Sequence, residues 1–258
     1  MLTGELREKI KDLASLLREA GYAGVFTGAG ISTESGIPDF RGPQGIWKKM
    51  RPIELSEFLQ NPEARREYWR RKIASYPQMR DAEPNEGHRA LADLYKAGFI
   101  KTFITQNIDG LHQKAGIADE NVIEIHGTNA SISCLDCGRR FSWKEVLPFF
   151  DDQQSADAPR CECGGWLKPA TVSFGQAMPV EKTRAAFGEA GKMDLLIVVG
   201  SSLLVYPAAA IPGETVGNGG DVAIVNAEPT VQDSLASLVL LGGAGEVLSA
   251  LAASLIEG

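Results

Sequence analysis

Five short apolar runs, each breaking into a glycine-rich or polar loop, constrain this chain more than any other feature. They span residues 23–27, 99–105, 122–125, 194–199 and 221–225. Runs that are apolar at nearly every position suit strands covered on both faces, as in a parallel sheet. Helical stretches lie between several of them, at 87–96, at 179–190 and in the alanine-rich tail after Gly245. Ahead of the first run, Leu2, Leu6, Ile10, Leu13 and Leu17 recur at steps of three and four, which predicts an amphipathic helix ended by Gly21. Strand–helix alternation of this kind predicts an α/β fold, a Rossmann-like doubly wound parallel sheet.

The loops that follow the runs carry the chemistry. They read Gly28-Ala29-Gly30, Gln106-Asn107-Ile108-Asp109, His126-Gly127, Gly200-Ser201-Ser202 and Asn226-Ala227-Glu228. In open α/β sheets ligands bind outside the carboxyl ends of the strands, so five such loops imply one large cofactor. The glycine loop alone is weaker. A dinucleotide fingerprint needs a third glycine where this chain has Thr33, and a plain tight turn also explains the pair. Two glycines still let backbone approach a pyrophosphate, and a helix starting near Ser32 would aim N–H groups at it.

Two segments break the rhythm and read as insertions that form a smaller domain. Residues 46–86 are rich in Arg, Glu, Trp and Tyr and look helical, while 133–167 hold all four cysteines. Cys134-x-x-Cys137 and Cys161-x-Cys163 predict one tetrahedral zinc site. Four thiolates leave no open coordination position, so the zinc is expected to be structural. A redox pair or disulfides would be the alternative, and disulfides are rare in the cytosol. The remaining 1–45, 87–132 and 168–258 are expected to form the cofactor-binding domain.

Composition narrows the function. No apolar run approaches the roughly 20 residues of a membrane span, and no signal peptide is visible, so a cytoplasmic protein is expected. A net charge of −7 argues against nucleic-acid binding and suits lysine-rich partners. Of the three histidines, His88 looks like a cap or a packed residue and His112 lies near the 106–109 loop. His126 ends a strand at the ligand edge, and with an ordinary pKa near ~6.5 it can serve as a base.

Taken together, these motifs resemble the sirtuin family, in its bacterial or archaeal form. The matching pieces are Gly28-Ala-Gly-Ile-Ser32, Gly36-Ile-Pro-Asp-Phe-Arg-Gly42, Gln106-Asn-Ile-Asp-Gly-Leu-His112, His126-Gly127, the four cysteines, Val172-Ser-Phe-Gly175, Gly200-Ser-Ser202 and Asn226, in the family's order. The resemblance implies a protein lysine deacylase that consumes NAD. In that chemistry the acyl oxygen attacks the ribose carbon, nicotinamide leaves, and a base-activated ribose hydroxyl takes the acyl group. By position His126 is implied as the base, with Asn107 and Asp109 in the nicotinamide pocket and Gln106 on the ribose. Phe40 would shield the sugar, Arg41 would meet phosphate or ribose, Gly28, Ala29, Gly30, Ser201 and Ser202 would cradle phosphates and ribose, and Asn226 would meet adenosine. Asp39, Ile108, Gly200 and Glu228 belong to the same implied cofactor set. Val172, Ser173, Phe174, Gly175 and Val205 resemble the strands that sandwich an acyl-lysine peptide. A monomer is expected.

The chain also departs from the family. Gln176 stands where many members carry an acidic residue, a change expected to weaken contact with basic peptide positions. Residues 51–69 resemble a branch whose mitochondrial member deacetylates weakly. Tyr68-x-x-Arg71 formally matches a pair that reads succinyl groups, but it falls in the charged run 65–72, which reads as a solvated helix face. Thr33 and Asp39 stand where that branch has alanine and threonine, and Asp39 would repel a second anion. Neutral acyl groups are therefore expected. ADP-ribosyl transfer or NAD hydrolysis in the same site is the runner-up. A dehydrogenase would need an acidic ribose partner about 20 residues past the glycine loop, where Asp39 and Phe40 serve another motif. A nucleic-acid-binding zinc ribbon is opposed by the acidic balance.

Overall fold

The computed structural model describes residues 2–42, 45–48, 50–151 and 157–256, so part of the cysteine-bearing segment lies outside the described residues. The strands are β1 (Ala23–Thr27), β2 (Thr102–Thr105), β3 (Val122–Glu124), β4 (Gly127–Cys134), β5 (Arg140–Phe141), β6 (Leu167–Thr171), β7 (Leu195–Val199), β8 (Asp221–Asn226) and β9 (Leu238–Leu241). The helices are α1 (Gly4–Glu19), α2 (Leu55–Gln60), α3 (Pro62–Asp81), α4 (Glu86–Lys96), α5 (Leu111–Lys114), α6 (Trp143–Val146), α7 (Val180–Ala190), α8 (Ile211–Gly217) and α9 (Ala244–Ile256).

Six strands make one parallel sheet in the order β3-β2-β1-β7-β8-β9. The chain leaves β1 in one direction and returns to its other side at β7, the Rossmann arrangement with its switch point between those two strands. All five residues of β1 and all five of β7 are buried, in keeping with runs that are apolar at every position except Thr27. Alternate side chains go to opposite faces. Val25, Phe103, Ile197 and Val225 join α1, α4 and α9 in one core, whereas Phe26, Ile104, Val198 and Ile224 join α7 and α8 in another. The expected doubly wound sheet is thus present. Its sixth strand, β9, escaped the sequence reading because only four residues carry it and just one of them is fully buried.

A second, antiparallel sheet of three strands, β5-β4-β6, carries the cysteines. It packs against α2 and α3 through a third core of Phe58, Trp69, Ile132, Trp143 and Leu167. The run 65–72 is not the solvated face its charges suggest. Arg65 is 4% exposed and Tyr68 7%. The Arg65 guanidinium donates to both carboxylate oxygens of Asp157 and to the carbonyls of Phe58 and Leu59. Burying a charge is tolerated here because four of the five guanidinium N–H groups are answered and Asp157 supplies the counter-charge. Among the described residues no helix is long and apolar enough to cross a membrane.

Candidate active site

The carboxyl ends of β1, β2, β3, β7 and β8 open into one cleft of about 1700 Å³. Every residue nominated for cofactor or peptide lies on its wall, namely 28–30, 39–41, 106–109, 126, 172–175, 200–202, 205, 226 and 228. Residues far apart in sequence meet here because parallel strands deliver all their trailing loops to one edge.

The glycines of the first loop have a use the sequence did not suggest. Gly28 N donates to Val199 O at 2.9 Å and Gly30 N to Gly200 O at 2.8 Å. A Cβ on Gly30 would stand 2.7 Å from Gly200 Cα, and one on Gly28 would stand 2.7 Å from Gly200 O. Gly200 itself has φ 61°, open to glycine at little cost. The two strand-end loops therefore lie backbone against backbone, and the missing side chains serve that contact first. The helix expected near Ser32 begins earlier, as a 3₁₀ turn over Ala29–Ser35.

Polar side chains at the cleft floor are tied to these loops. Asn107 Nδ2 donates to Gly28 O at 3.2 Å and Ser32 Oγ at 3.1 Å, and Ser32 Oγ donates to Asp109 Oδ2 at 2.7 Å. Burial raises the Asp109 carboxyl above its usual value, against the pull of the Leu111 N–H and the Ser32 hydroxyl. Gln106 Nε2 donates to Ser201 Oγ at 2.8 Å, joining the β2 and β7 loops. His126 Nδ1 lies 3.1 Å from Gln106 O. A carbonyl only accepts, so Nδ1 carries the proton and Nε2 keeps its lone pair. Burial holds the His126 imidazolium below the ordinary histidine range, with the Gln106 carbonyl pulling the other way. Gly127 follows with φ 74°, where a Cβ would strike the Ala170 carbonyl. That close approach couples His126 to β6, and Val172 N donates to His126 O at 2.8 Å.

Residues 172–175 form a turn rather than a strand. Gln176 N donates to Ser173 O at 3.0 Å, and Gly175 has φ 73°, which reverses the chain. Val205 is likewise outside any strand of this chain. Gln176 also lies on the cleft wall, and its amide oxygen is engaged within its own turn. Its Oε1 turns back onto Ser173 N at 3.1 Å and Lys168 Nζ at 3.4 Å.

Several cleft residues escaped the sequence reading. Trp47 stands between Phe40 and Phe174, 5.1 Å from each ring, with the Arg41 guanidinium 4.1 Å over its own ring. Met178, Thr183 and Phe187 of the α7 region, and Lys72 and Gln78 of α3, also line the wall. No local pattern marks them, since their placement depends on how the helices dock.

The other two histidines lie outside this wall. His88 and His112 are buried side by side, ring centroids 5.2 Å apart, bonded to Asn85 and Thr27. Burial lowers their pKa to about 4 and about 3 respectively. The four cysteine sulfurs all lie within 4.8 Å of one another, with Cys134 to Cys163 at 3.5 Å and Cys137 to Cys161 at 3.8 Å. Sulfurs about 2.3 Å from a tetrahedral metal stand roughly 3.8 Å apart, so the donor set fits a metal ion. A Cβ on Gly165 would press on Cys134 Sγ at 2.6 Å, which makes a glycine necessary there.

Residues 28–207 match the Sir2 family. The chain is 45% identical over 249 residues to NAD-dependent protein deacetylase 1 of Bradyrhizobium diazoefficiens, covering 96% of this chain and 97% of that one. Among solved structures it is similar to a Sir2 with a deacetylated p53 peptide and 3′-O-acetyl-ADP-ribose, with TM-score 0.84, 38% identity and coverage of 94% and 96%. It is also similar to Sir2Tm bound to a propionylated peptide, with TM-score 0.81, 38% identity and coverage of 93% and 95%.

Proposed function

Since the chain belongs to the Sir2 family and is an NAD-dependent protein deacylase, we propose that His126 is the general base of the reaction. The observation that carries this is the Nδ1 bond to Gln106 O, which leaves the Nε2 lone pair free on a cleft-lining ring. NAD supplies the electrophilic ribose carbon and the nicotinamide leaving group. The residues fit such a dinucleotide through the cleft's size, the side-chain-free backbone at Gly28 and Gly30, and the hydroxyls of Ser201 and Ser202. Ala29, Asp39, Arg41, Ile108, Gly200, Asn226 and Glu228 complete the cofactor wall, and Gln106 orients the His126 ring.

Asn107 and Asp109 hold the nicotinamide end. Their mutual bracing through Ser32 fixes both side chains before any ligand arrives, which lowers the ordering cost of binding. Phe40 with Trp47 and Phe174 forms the aromatic cover that keeps water from the reacting sugar. Backbone of 172–175 and Val205 flanks the acylated peptide, a mode that reads main chain more than side chains. Similar Sir2 structures hold p53-derived and propionylated peptides, in keeping with protein substrates.

Neutral acyl groups are the preferred cargo. The Arg71 guanidinium is already answered by Glu67 Oε1 at 2.7 Å and by Arg51 O at 2.8 Å, which leaves little of its charge for an acidic acyl chain. One structural zinc sits among Cys134, Cys137, Cys161 and Cys163, and a reducing cytoplasm keeps those thiols available. On the same reading 1–45, 87–132 and 168–258 are the NAD-binding unit, and 46–86 with 133–167 are the small domain, supported by a separate core that also takes in Ile132 at the boundary.

The test is mass spectrometry of products from NAD and an acetyl-lysine peptide, with wild type and His126→Ala. Wild type yields free lysine, nicotinamide and O-acetyl-ADP-ribose. The variant loses about 10²–10⁴ in turnover, the usual worth of a general base, while still binding NAD. Near-normal deacylation by the variant removes His126 from the role, and ADP-ribosylated peptide or free ADP-ribose as the main product assigns the cleft a different reaction.

A further inference from the structure

Among the described residues Lys168 is the one lysine in the group of largest fully buried side chains, 1% exposed on β6. Its Nζ faces three oxygens. It donates to Thr171 O through a short bond, to Pro169 O at 3.1 Å and to Gln176 Oε1 at 3.4 Å. Gln176 Oε1 also accepts from Ser173 N at 3.1 Å. One amine thus joins the end of β6 to the far side of the turn that follows. That turn carries 172–175, and its first N–H is the one bonded to His126 O.

The other groups facing this amine come from α3. The Tyr68 ring lies 6.0 Å from Lys168 Nζ and 5.5 Å from Lys72 Nζ. Both contacts put cationic or potentially cationic amines around a single ring, with no carboxylate bonded to Lys168 among the described residues. Neutral acceptors alone answer the Lys168 charge.

We propose that Lys168 is a positioning residue for substrate peptide, its amine holding the 171–176 turn in the shape that presents 172–175. The proposal rests on the reading of that segment as the peptide edge. Three acceptors need three donors, which the ammonium has and the neutral amine lacks. Deprotonation turns a lone pair toward one of the oxygens and slackens the turn. Burial, followed by the Lys72 charge, lowers the Lys168 pKa to about 7. The hold is therefore full on the acid side and is lost as pH rises past neutrality. A carboxylate at position 176 would supply the missing counter-charge, favour the ammonium and move that loss to higher pH.

Steady-state KM for an acetyl-lysine peptide and for NAD, measured against pH in wild type, Lys168→Met, Lys168→Arg and Gln176→Glu, tests this. Lys168→Met should raise the peptide KM about tenfold, the worth of a hydrogen bond to a charged group, and leave the NAD KM within about twofold. Lys168→Arg should restore most of it. Wild-type peptide KM should rise on the alkaline side of neutrality, and Gln176→Glu should move that rise upward. An unchanged peptide KM in Lys168→Met, an equal rise in both KM values, or a Gln176→Glu profile identical to wild type would each overturn the proposal. If Lys168→Met does not fold, the Gln176→Glu profile decides alone. Hydrogen exchange separates the two layers. Peptide should protect 171–176 in wild type, and absence of protection there refutes the peptide-edge reading. Faster exchange of the same segment in free Lys168→Met tests the hold itself, and unchanged exchange refutes it.

Discussion

Replacing Arg65 by Met tests how the small domain is held together. Arg65 is nearly enclosed, its guanidinium bonded to Asp157 at 2.7 and 2.6 Å and to the carbonyls of Phe58 and Leu59 at 3.0 and 2.9 Å. It also lies 4.0 Å over the Trp166 ring. This one side chain spans α2, α3 and the cysteine-bearing segment. Removing one partner of a buried ion pair costs about 3–5 kcal/mol, because the other charge is left unanswered. Here the Asp157 side chain is 29% exposed and can recover water, and Met retains part of the packing against Trp166. The expected loss is therefore about 2–3 kcal/mol. The assay is urea unfolding followed by tryptophan fluorescence, which reports this core through Trp69, Trp143 and Trp166. Asp157→Asn, alone and with Arg65→Met, completes a double-mutant cycle. A loss under about 1 kcal/mol, or strictly additive effects of the two changes, would show that the pair does not hold the domain together. The pair also predicts a pH trend. Arg65 depresses the Asp157 pKa, so the stabilisation is present at neutral pH and lost as pH falls through that lowered value.

The remaining expectations are simpler. Cys134→Ala or Cys163→Ala should release the metal and unfold the β4–β6 module, since binding there contributes folding free energy; metal analysis should find one zinc per wild-type chain, and a metal-free, fully active protein would reject the site. Acetyl and longer neutral acyl groups should be removed from one peptide at rates above succinyl, at saturating NAD; a succinyl rate tenfold above both, lost in Arg71→Met, would show that Glu67 does not neutralise Arg71. Buried His88 and His112 have folded pKa values depressed to about 4 and about 3, so the unfolded chain binds protons more readily as pH drops below the ordinary histidine value. Stability should accordingly be full above that value and fall progressively toward those pKa values. The urea midpoint in His112→Leu should show a shallower acid slope than wild type, and an unchanged slope would assign the acid sensitivity elsewhere.

Much of the site was legible because its signals are local. An apolar run followed by a polar loop is visible within ten residues, and in a parallel sheet every such loop arrives at the same edge. That is why Gly28, Asn107, His126 and Ser201 could be grouped before any contact among them was known. The cysteine pairs were legible for the same reason, since metal spacing is written in short intervals. Local signals also misled. The charges of 65–72 suggested a wet helix, yet Arg65 and Tyr68 are buried, because a distant Asp157 and two carbonyls answer the guanidinium. No local signal marked the Gln176 amide oxygen as a partner of Lys168.

The sequence by itself determined the layered sheet, the edge where chemistry happens and the residue types available there. Periodicity and loop composition suffice for that, because each strand's burial and each loop's chemistry depend on its own few residues. Tertiary structure alone decided which side chains brace which. It set the His126 tautomer through Gln106 O, laid Gly28 and Gly30 against Gly200, put Trp47 between Phe40 and Phe174, and gave Lys168 three carbonyl-type partners in place of a counter-ion. Those outcomes depend on distances between separate segments or on how a turn closes, and a hydrogen bond is made or lost over a few tenths of an ångström.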